Sequence, residues 1–433
     1  MSSPSPTRRA SGAWPPWRRT LLVAFGAQTL ALMGFTLIFP FLPLYIQTLG
    51  VHGRAVPAWA GIISFSGALP LVVMGPVWGA LGDRYGRKPM VIRAMASGAV
   101  TMGLLIVAPN IWVLVALLML SGLLTGVNAP LQALVTTVTP RAEMGRSMGL
   151  MLAGIFTGVA LGPLAGGVLN DHLGFRGTFA CSAGLLLAAA LLVLCGIEER
   201  FVRPVPARGQ SVLTPFKTFL AVAVSPGLLL MALVLFMVQT SSMTPAPVLP
   251  LFVPHLQGVP VVHGVAQTST AVGFILAVSG LCAALASWLA PRLIDRYGYR
   301  RVLIGGLGLA GLLYLPACVV QAVWQMVLVR AGVGLALGAA LPAAGAIVGL
   351  STPAERRGAA YGLTSSAESC GFAVGPLLGG SLGALLGVRA VFPITAAALL
   401  GVALVVARLV QEPQELGEGS DTQPVAAARL SAK

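Results

Sequence analysis

Residues 79–92 read GALGDRYGRKPMVI and interrupt two long apolar runs of the chain. The stretch concentrates one acid, Asp83, with three basic residues and three glycines, although only 9% of all residues are charged. Glycine permits a tight turn and a close approach of neighbouring helices. The basic residues Arg84, Arg87 and Lys88 favour the cytoplasmic surface of a bilayer, where anionic headgroups attract them. The stretch therefore predicts a loop that joins two membrane-spanning helices.

The overall composition is that of a membrane protein. Of the 433 residues 57% are hydrophobic, and the mean hydropathy is +0.89, whereas soluble domains carry about 25% charged residues. Apolar stretches that reach the length of a membrane helix, about 18 residues, recur at Trp59–Trp78, Met90–Ala108, Ile111–Val138, Phe179–Ile197 and Val302–Val320. We therefore predict an all-α membrane protein with many spans.

The basic charge follows the topology of such a protein. A net charge of +15 suggests a nucleic-acid partner at first sight. However, Lys and Arg collect in the N-terminal tail, in alternate loops and in the C-terminal tail, while the opposite loops contain only Arg54, Arg176 and Arg389. This bias is the positive-inside rule. It predicts an inner-membrane protein with both termini in the cytoplasm, an uncleaved first span and no nucleic-acid partner.

The chain is internally duplicated. When the sequence is shifted by 212 residues, Asp83–Gly86 falls on Asp295–Gly298, and a shift of 213 places Gly162–Pro163 on Gly375–Pro376. Further collinear matches are Gly61 with Gly273, Trp112 with Trp324, Gly122 with Gly334, Pro130 with Pro342 and Arg176 with Arg389. So many matches of glycine, proline, tryptophan and arginine indicate two homologous halves.

Each half is predicted to contain six spans, twelve in all. Those of the first half cover 20–49, 58–80, 90–108, 111–138, 146–170 and 176–197, and those of the second cover 218–250, 266–290, 302–320, 323–350, 357–386 and 389–410. An even number of spans makes the halves parallel repeats, with a substrate site near the midplane between them. Residues 198–217 are predicted to be a cytoplasmic linker, and 1–19 and 411–433 to be cytoplasmic tails.

The loop between spans 2 and 3 resembles a family signature. Gly79–Lys88 is similar to the G-x-L-a-D-r-x-G-r-k motif of the major facilitator superfamily, and the span count and duplication extend the resemblance over nearly the whole chain. The resemblance implies a cytoplasmic latch between the halves, in which Asp83 helps to hold the outward-open state. The latch residues are then Gly79, Asp83, Arg84, Gly86, Arg87, Lys88 and, in the second half, Asp295 and Arg296.

A second motif resembles one branch of that superfamily. Gly158, Gly162, Pro163, Gly166 and Gly167 in span 5 fit the G-x-x-x-G-P-x-x-G-G pattern of drug:proton antiporters. Generic small-residue packing is the alternative, and recurrence of the pattern at 371–380 in span 11 weakens its specificity. The stretch 40–45 also resembles tetracycline-type and multidrug exporters.

One feature departs from the exporter pattern. Such exporters place an arginine in span 4, where this chain has Leu118, and the corresponding arginine of the second half is Arg330 in span 10. The proton-coupling role of the span 4 arginine is therefore not transferred to this chain.

Among the acids, only Glu368 is predicted to lie deep in the membrane. It is about 16 Å from the inner end of span 11, and Arg330 is about 10 Å from the outer end of span 10, so a 30 Å bilayer would bring their depths within about 4 Å. Ionisable groups in a membrane are costly and usually functional. We expect Glu368, with Arg330, to serve proton coupling or to bind cationic drugs. The alternative is a static Glu368–Arg330 pair.

Polar and aromatic residues predict a cavity for amphipathic compounds. In span 4, Ser121, Thr125, Asn128 and Gln132 would share one face of a continuous helix. The full set of predicted cavity residues is Gln28, Phe35, Asn128, Gln132, Phe236, Gln239, Met243, Tyr361 and Ser365. Amide, aromatic and methionine side chains suit amphipathic molecules, and hydrogen bonding between helices is the alternative use of the polar ones.

Other classes of function lack their motifs. No G-x-x-x-x-G-K-[ST] phosphate loop occurs, and the four histidines, all in predicted outer loops, show no metal-ligand spacing on a helix. We expect no catalytic or metal site, no cofactor and no disulfide among the five cysteines. The prediction is a monomeric secondary transporter, in contact with membrane lipid, that exchanges small amphipathic compounds for protons by alternating access. The alternative is a metabolite or sugar transporter of the same fold.

Overall fold

The computed structural model describes residues 16–140, 143–199, 226–262, 265–352 and 357–412. Most of the predicted linker, the beginning of predicted span 7 and the greater part of both tails lie outside these residues. The predicted division into bundles, linker and tails therefore stays a prediction at those boundaries.

The described residues form helices with short connections. The helices of the first half are Pro16–Thr36 and Leu42–Thr48 in span 1, Ala55–Tyr85 in span 2, Arg87–Leu105 in span 3, Ile111–Leu124 and Asn128–Val138 in span 4, and Met144–Gly196 in spans 5 and 6. Those of the second half are Pro226–Met243 and Leu249–Phe252 in span 7, Thr268–Tyr297, Tyr299–Tyr314, Val323–Leu350, Arg357–Leu386 and Val391–Leu409. A short hairpin, Val261–Val262 with Val265–Ala266, precedes span 8.

The helices account for the twelve predicted spans. Ten of them in the described part are long and apolar enough to cross a membrane. One of the ten, Met144–Gly196, is 53 residues long and turns at Gly174, whose φ is 68°, so it supplies two spans. The helix Arg87–Leu105, with three basic residues in its first two turns, is the remaining span.

Glycine backbones bring the helices of each half into direct contact. A Cβ added at Gly158 would lie 2.7 Å from the carbonyl oxygen of Thr29, and one at Gly166 would collide with the carbonyl of Leu37. The second half repeats the arrangement, because a Cβ at Gly371 or Gly375 would lie 2.6 Å from a carbonyl oxygen of span 7. Thus span 5 packs on span 1 as span 11 packs on span 7. Small residues allow this approach in membranes, where no hydrophobic effect drives helices together.

The halves meet at one end of the bundle, which the distribution of basic residues predicts to be the outer end. Gly273 of span 8 packs on the carbonyl of Pro163 in span 5, and Gly61 of span 2 packs on that of Pro376 in span 11. Toward the opposite end six glycines have no described atom within 4 Å of an added Cβ; they are Gly75, Gly79, Gly145, Gly149, Gly345 and Gly362. The described glycine contacts between the halves therefore lie at the end predicted to be outside, which leaves the crevice to open toward the end predicted to face the cytoplasm.

Span 4 departs from its counterpart. The first-half helix stops at Leu124 and restarts at Asn128, with Gly126 at φ 115°, whereas span 10 is continuous through the matching Gly338. The freed carbonyls accept side-chain donors: Trp78 Nε1 donates to Leu123 O at 2.7 Å, and Ser97 Oγ donates to Leu124 O at 3.1 Å. The repeat shift places Ala290 and Leu309 at these donor positions of the second half. The predicted continuous face of span 4 is therefore interrupted.

We expect Gly166→Ala to destabilise the protein by about 1–3 kcal/mol or more, because the added methyl group meets backbone that cannot rotate away. The measurement is the thermal unfolding temperature of the purified protein in detergent. Gly184→Ala is the matched control, since an added Cβ there meets nothing within 4 Å. Equal unfolding temperatures for the two variants would contradict the packing argument.

Candidate functional site

Residues of both halves reach the same depth in the crevice. Counted from the cytoplasmic ends of their helices at 1.5 Å per residue, Gln28 lies about 18 Å along span 1, Asn128 about 15 Å along span 4 and Glu368 about 16 Å along span 11. Gln239 of span 7 lies at the level of Gly371, three residues beyond Glu368, because a Cβ added at Gly371 would lie 3.0 Å from Cβ of Gln239. These positions form a polar layer near the middle of the membrane.

In the first half, Gln28 and Asn128 form one polar unit. The Nε2 atom of Gln28 donates to Oδ1 of Asn128 at 2.5 Å, and Gln28 is completely buried while Asn128 is exposed. This bond ties span 1 to the first residue of the second helix of span 4. The Oε1 atom of Gln28 is buried and has no hydrogen-bond partner among the described residues, so only Asn128 of this pair reaches the crevice.

The other predicted residues of the first half lie apart from this unit. Phe35 points toward span 3, where its ring would lie 2.9 Å from a Cβ added at Gly98, and it packs against the core of the first bundle. Gln132 is half-buried one turn beyond Asn128. Ser121 and Thr125 are buried on the other side of the helix break, where Thr125 Oγ1 donates to Ser121 O at 2.7 Å.

In the second half, span 7 and span 11 bring the predicted residues together. A Cβ at Gly371 would lie 3.0 Å from Cβ of Gln239, and one at Gly375 would lie 2.7 Å from Cβ of Met243. Glu368 precedes Gly371 by nearly one helical turn and is half-buried, so it lies on the side of span 11 that is near Gln239. Phe236 is half-buried one turn before Gln239.

Further toward the cytoplasm, span 11 contacts span 10. The hydroxyl of Tyr361 donates to the carbonyl of Gly345 at 3.3 Å, while the Tyr361 ring is 47% exposed. Ser365, one turn from Tyr361, is exposed. The face of span 11 with Tyr361, Ser365 and Glu368 thus lies beside spans 7 and 10, whereas Gly380 turns another face toward span 2.

Arg330 does not pair with Glu368. Its guanidinium donates from Nη1 to the hydroxyl of Tyr314 in span 9 at 2.5 Å, and among the described residues Glu368 has no hydrogen-bond or ion-pair partner. The prediction that Arg330 and Glu368 lie at the same depth is wrong. It used a bilayer about 30 Å thick, whereas spans 10 and 11 are helices of 28 and 30 residues and are therefore longer than about 30 Å. From the outer ends, Arg330 lies about 10 Å and Glu368 about 27 Å along the helix.

The loops between spans 2 and 3 and between spans 8 and 9 are built alike. Gly86 and Gly298 end spans 2 and 8 with φ of 99° and 85°, a region that favours glycine. The guanidinium of Arg84 lies 5.4 Å from the Tyr85 ring, and that of Arg296 lies 5.3 Å from the Tyr297 ring. Gly79 and Asp295 are exposed. The side chain of the predicted latch residue Asp83 is not among the parts of the chain that the structure describes.

Each loop is held by a glutamate that the sequence analysis did not single out. The carboxylate of Glu199, after span 6, accepts the backbone N–H groups of Arg87 and Lys88 at 2.8 and 2.9 Å, and Lys88 Nζ donates to Ile197 O at 2.5 Å. Glu412, after span 12, accepts the N–H of Arg300 at 3.1 Å. The shift of 213 residues pairs Glu199 with Glu412, a signal that could have found both.

Comparison with known proteins identifies the family. Residues 24–269 and 231–432 match the Major Facilitator Superfamily. This chain belongs to the major facilitator superfamily. Within it, the chain is 36% identical over 386 residues to the Multidrug resistance protein MdtG of Serratia proteamaculans, covering 89% of this chain and 92% of that relative. Its counterpart in Salmonella arizonae is 35% identical, covering 89% and 93%.

Solved major facilitator structures share the fold. The human organic anion transporter MFSD10 (TETRAN) has 19% identity and a TM-score of 0.64, covering 91% of this chain and 100% of that chain. A bacterial homologue of the human lysosomal transporter Spinster, in an inward-facing and unoccupied conformation, has 15% identity and a TM-score of 0.67, covering 92% and 96%. An auto-inhibited peptide transporter of the POT family has 14% identity and a TM-score of 0.72, covering 92% and 98%.

Span 3 of this major facilitator protein contains a basic residue, Arg93, in its inner half. Arg93 stacks on Trp78 at 3.2 Å from the ring centroid, and its guanidinium nitrogens are buried without a hydrogen-bond partner among the described residues. Leu118, at the position of the exporter arginine, is completely buried and lies toward the outer end of span 4. Arg93 and Leu118 therefore occupy opposite halves of the membrane, and Arg93 does not replace the missing arginine.

We expect Glu199→Ala to destabilise the folded protein by about 0.5–2 kcal/mol, because two N–H groups at the start of span 3 lose their acceptor. Thermal unfolding in detergent measures the change. Glu198→Ala is the matched control, since Glu198 is exposed and adjacent in the chain. A control as unstable as Glu199→Ala would contradict the capping role.

Proposed function

We propose that this chain exports small amphipathic compounds across the inner membrane in exchange for protons, by alternating access. The observation that carries the proposal is Glu368, a carboxylate at mid-depth without a partner among the described residues. Arg330 is bound to Tyr314 instead, so the positive charge that could neutralise the carboxylate is engaged elsewhere. Relatives with the name Multidrug resistance protein, 35–36% identical over most of their length, support export of drugs.

An unpaired carboxylate in a crevice that opens alternately to each side is suited to move a proton. A buried charge without a partner is unfavourable, so a carboxylate at the depth of Glu368 needs a proton, a positively charged partner or water while the crevice is closed around it. Access to the outer side lets it take a proton, and access to the cytoplasm lets it release the proton. Rocking of the two halves about the polar layer then couples inward proton movement to outward movement of the substrate.

The lining of the layer supports an amphipathic substrate. Phe236 and Met243 offer adaptable apolar surface on span 7, and Gln239 stands between them with an amide. On the other half, the exposed residue Asn128 offers an amide that Gln28 holds in place by a hydrogen bond. A few polar groups among apolar ones fix the orientation of small organic molecules, and methionine accommodates different shapes.

We further propose that the protein acts as a monomer with both termini in the cytoplasm. The opening of the crevice lies on the side of the loops with Arg84 and Arg296, which the distribution of basic residues predicts to be cytoplasmic. The latch role of Asp83 and Asp295 belongs to the same proposal. It applies to the opposite state of the cycle, when the cytoplasmic ends of the halves approach each other.

We expect Glu368→Gln to abolish uptake driven by a pH gradient in inverted vesicles, because the amide cannot take up and release a proton. Exchange of labelled for unlabelled substrate without a pH gradient should persist, since the crevice keeps its shape. Glu198→Gln, at the exposed cytoplasmic end of span 6, is the control and should retain both activities. Undiminished pH-driven uptake by Glu368→Gln would rule out the proton role.

We expect expression of the chain in an exporter-deficient host to raise the inhibitory concentration of lipophilic dyes and amphipathic antibiotics. Growth inhibition across a panel of such compounds measures this, with Glu368→Gln as the uncoupled reference. A chain that protects against none of them but takes up a sugar or another metabolite would instead support the alternative of a metabolite transporter.

A further inference from the structure

A polar contact joins the two halves at the outer ends of spans 5 and 8. The Oδ2 atom of Asp171 accepts the backbone N–H of Thr270 at 2.7 Å, and Oδ1 accepts that of Ser269 at 3.3 Å. Beside it, Asn170 Nδ2 donates to Ser269 Oγ at 2.7 Å, and both of these residues are buried. We call these four residues the outer clasp.

The outer clasp supplies hydrogen-bond acceptors to the N-terminus of span 8, which has no side-chain cap from its own half of the protein. Span 8 begins at Thr268, and its N-cap residue Gln267 makes no side-chain capping bond. The first N–H groups of a helix have no acceptor within the helix, and an anion is favoured there by the helix dipole. Asp171 meets both requirements from the other half of the protein, so the cap of span 8 exists only while the outer ends are together.

The equivalent contact on the opposite side of the crevice has no such group. The repeat shifts pair Asp171 with Ala384 of span 11 and Ser269 with Pro57 of span 2. Alanine supplies no acceptor, and proline has no N–H to donate. Spans 2 and 11 instead touch through backbone and apolar side-chain atoms, where a Cβ at Gly380 would meet the carbonyl of Pro57 and one at Gly383 would lie 3.2 Å from Cβ of Pro57.

We propose that Asp171 is a positioning residue of the transport cycle, which holds the outer gate closed by capping span 8 across the two halves. The outer seal then has one polar side, at spans 5 and 8, whose hydrogen bonds must break. Its other side, at spans 2 and 11, has no hydrogen bond between the two helices among the described residues. This inference rests on alternating access in the proposed function but not on the substrate or on proton coupling.

Loss of the clasp should shift the conformational equilibrium by a predictable amount. When the outer gate opens, the N–H groups of Ser269 and Thr270 exchange a carboxylate for water. Removing a helix cap changes an equilibrium by roughly two- to thirty-fold. Asp171→Ala should therefore raise the ratio of outward-open to outward-closed molecules within this range, while Asp171→Asn, which keeps one acceptor without the charge, should give a smaller rise.

The distance between the outer ends of the halves measures this ratio. Two spin labels at Val107 and Val261, which are exposed on the outer side of the first and second halves, report the distance distribution by pulsed electron resonance. The full chain is used in proteoliposomes, with its five native cysteines replaced by alanine. A larger long-distance fraction in Asp171→Ala, with an intermediate value in Asp171→Asn, is the expected result.

His172→Ala is the matched control, because His172 is exposed and adjacent to Asp171; it should keep the parent distribution. Thermal unfolding is recorded in parallel, since a purely structural role would lower the unfolding temperature without changing the distances of the folded molecules. Unchanged distances in Asp171→Ala, or the same change in His172→Ala, would overturn the inference. Because the distances are measured without substrate, failure of export in the parent chain is a separate result and bears only on the proposed function.

Discussion

Backbone contact between helices at glycine is the constraint on which the rest of this structure depends. Lipid tails are as apolar as the helices, so packing and hydrogen bonding must hold the bundle together. Gly158 and Gly166 let span 5 reach the backbone of span 1, and Gly371 and Gly375 do the same for spans 11 and 7. The close approach of spans 7 and 11 also places Gln239 beside the turn that contains Glu368. The polar layer is therefore a consequence of the packing.

The duplication shows which features the fold requires and which are particular to one half. Loops ended by Gly86 and Gly298 and held by Glu199 and Glu412 occur twice, as a shared structural role predicts. The broken helix of span 4 and the carboxylate of Asp171 occur in one half alone among the described residues. Alternating access needs two states of similar free energy. The break in span 4 and the carboxylate of Asp171 let the two sides of the crevice contribute differently to the free-energy difference between these states.

The polar groups within the membrane divide into satisfied and unsatisfied ones. Arg330 donates to Tyr314, and Ser97 and Trp78 donate to the carbonyls freed in span 4. These bonds stabilise the bundle, since an unmade hydrogen bond in an apolar environment is expensive. Glu368, the Oε1 atom of Gln28, the guanidinium of Arg93 and the Nε atom of Arg330 lack partners among the described residues. Groups left unsatisfied in a crevice are the ones that can respond to a proton or a substrate.

The sequence by itself determined the class of protein, the span count, the duplication and the family, because hydropathy, charge bias and the 79–92 motif are local or periodic signals. It also identified Glu368 and Gln28, which stand out as polar residues in apolar runs. It did not determine where a helix breaks or how long it is. From sequence, Ser121 and Thr125 are therefore predicted on one face of an unbroken helix, and Arg330 is predicted at the membrane depth of Glu368. Only the tertiary structure decided the partners of Arg330, Glu199 and Asp171, because hydrogen bonds between distant helices depend on how backbones approach in space, and residue order alone does not contain that geometry.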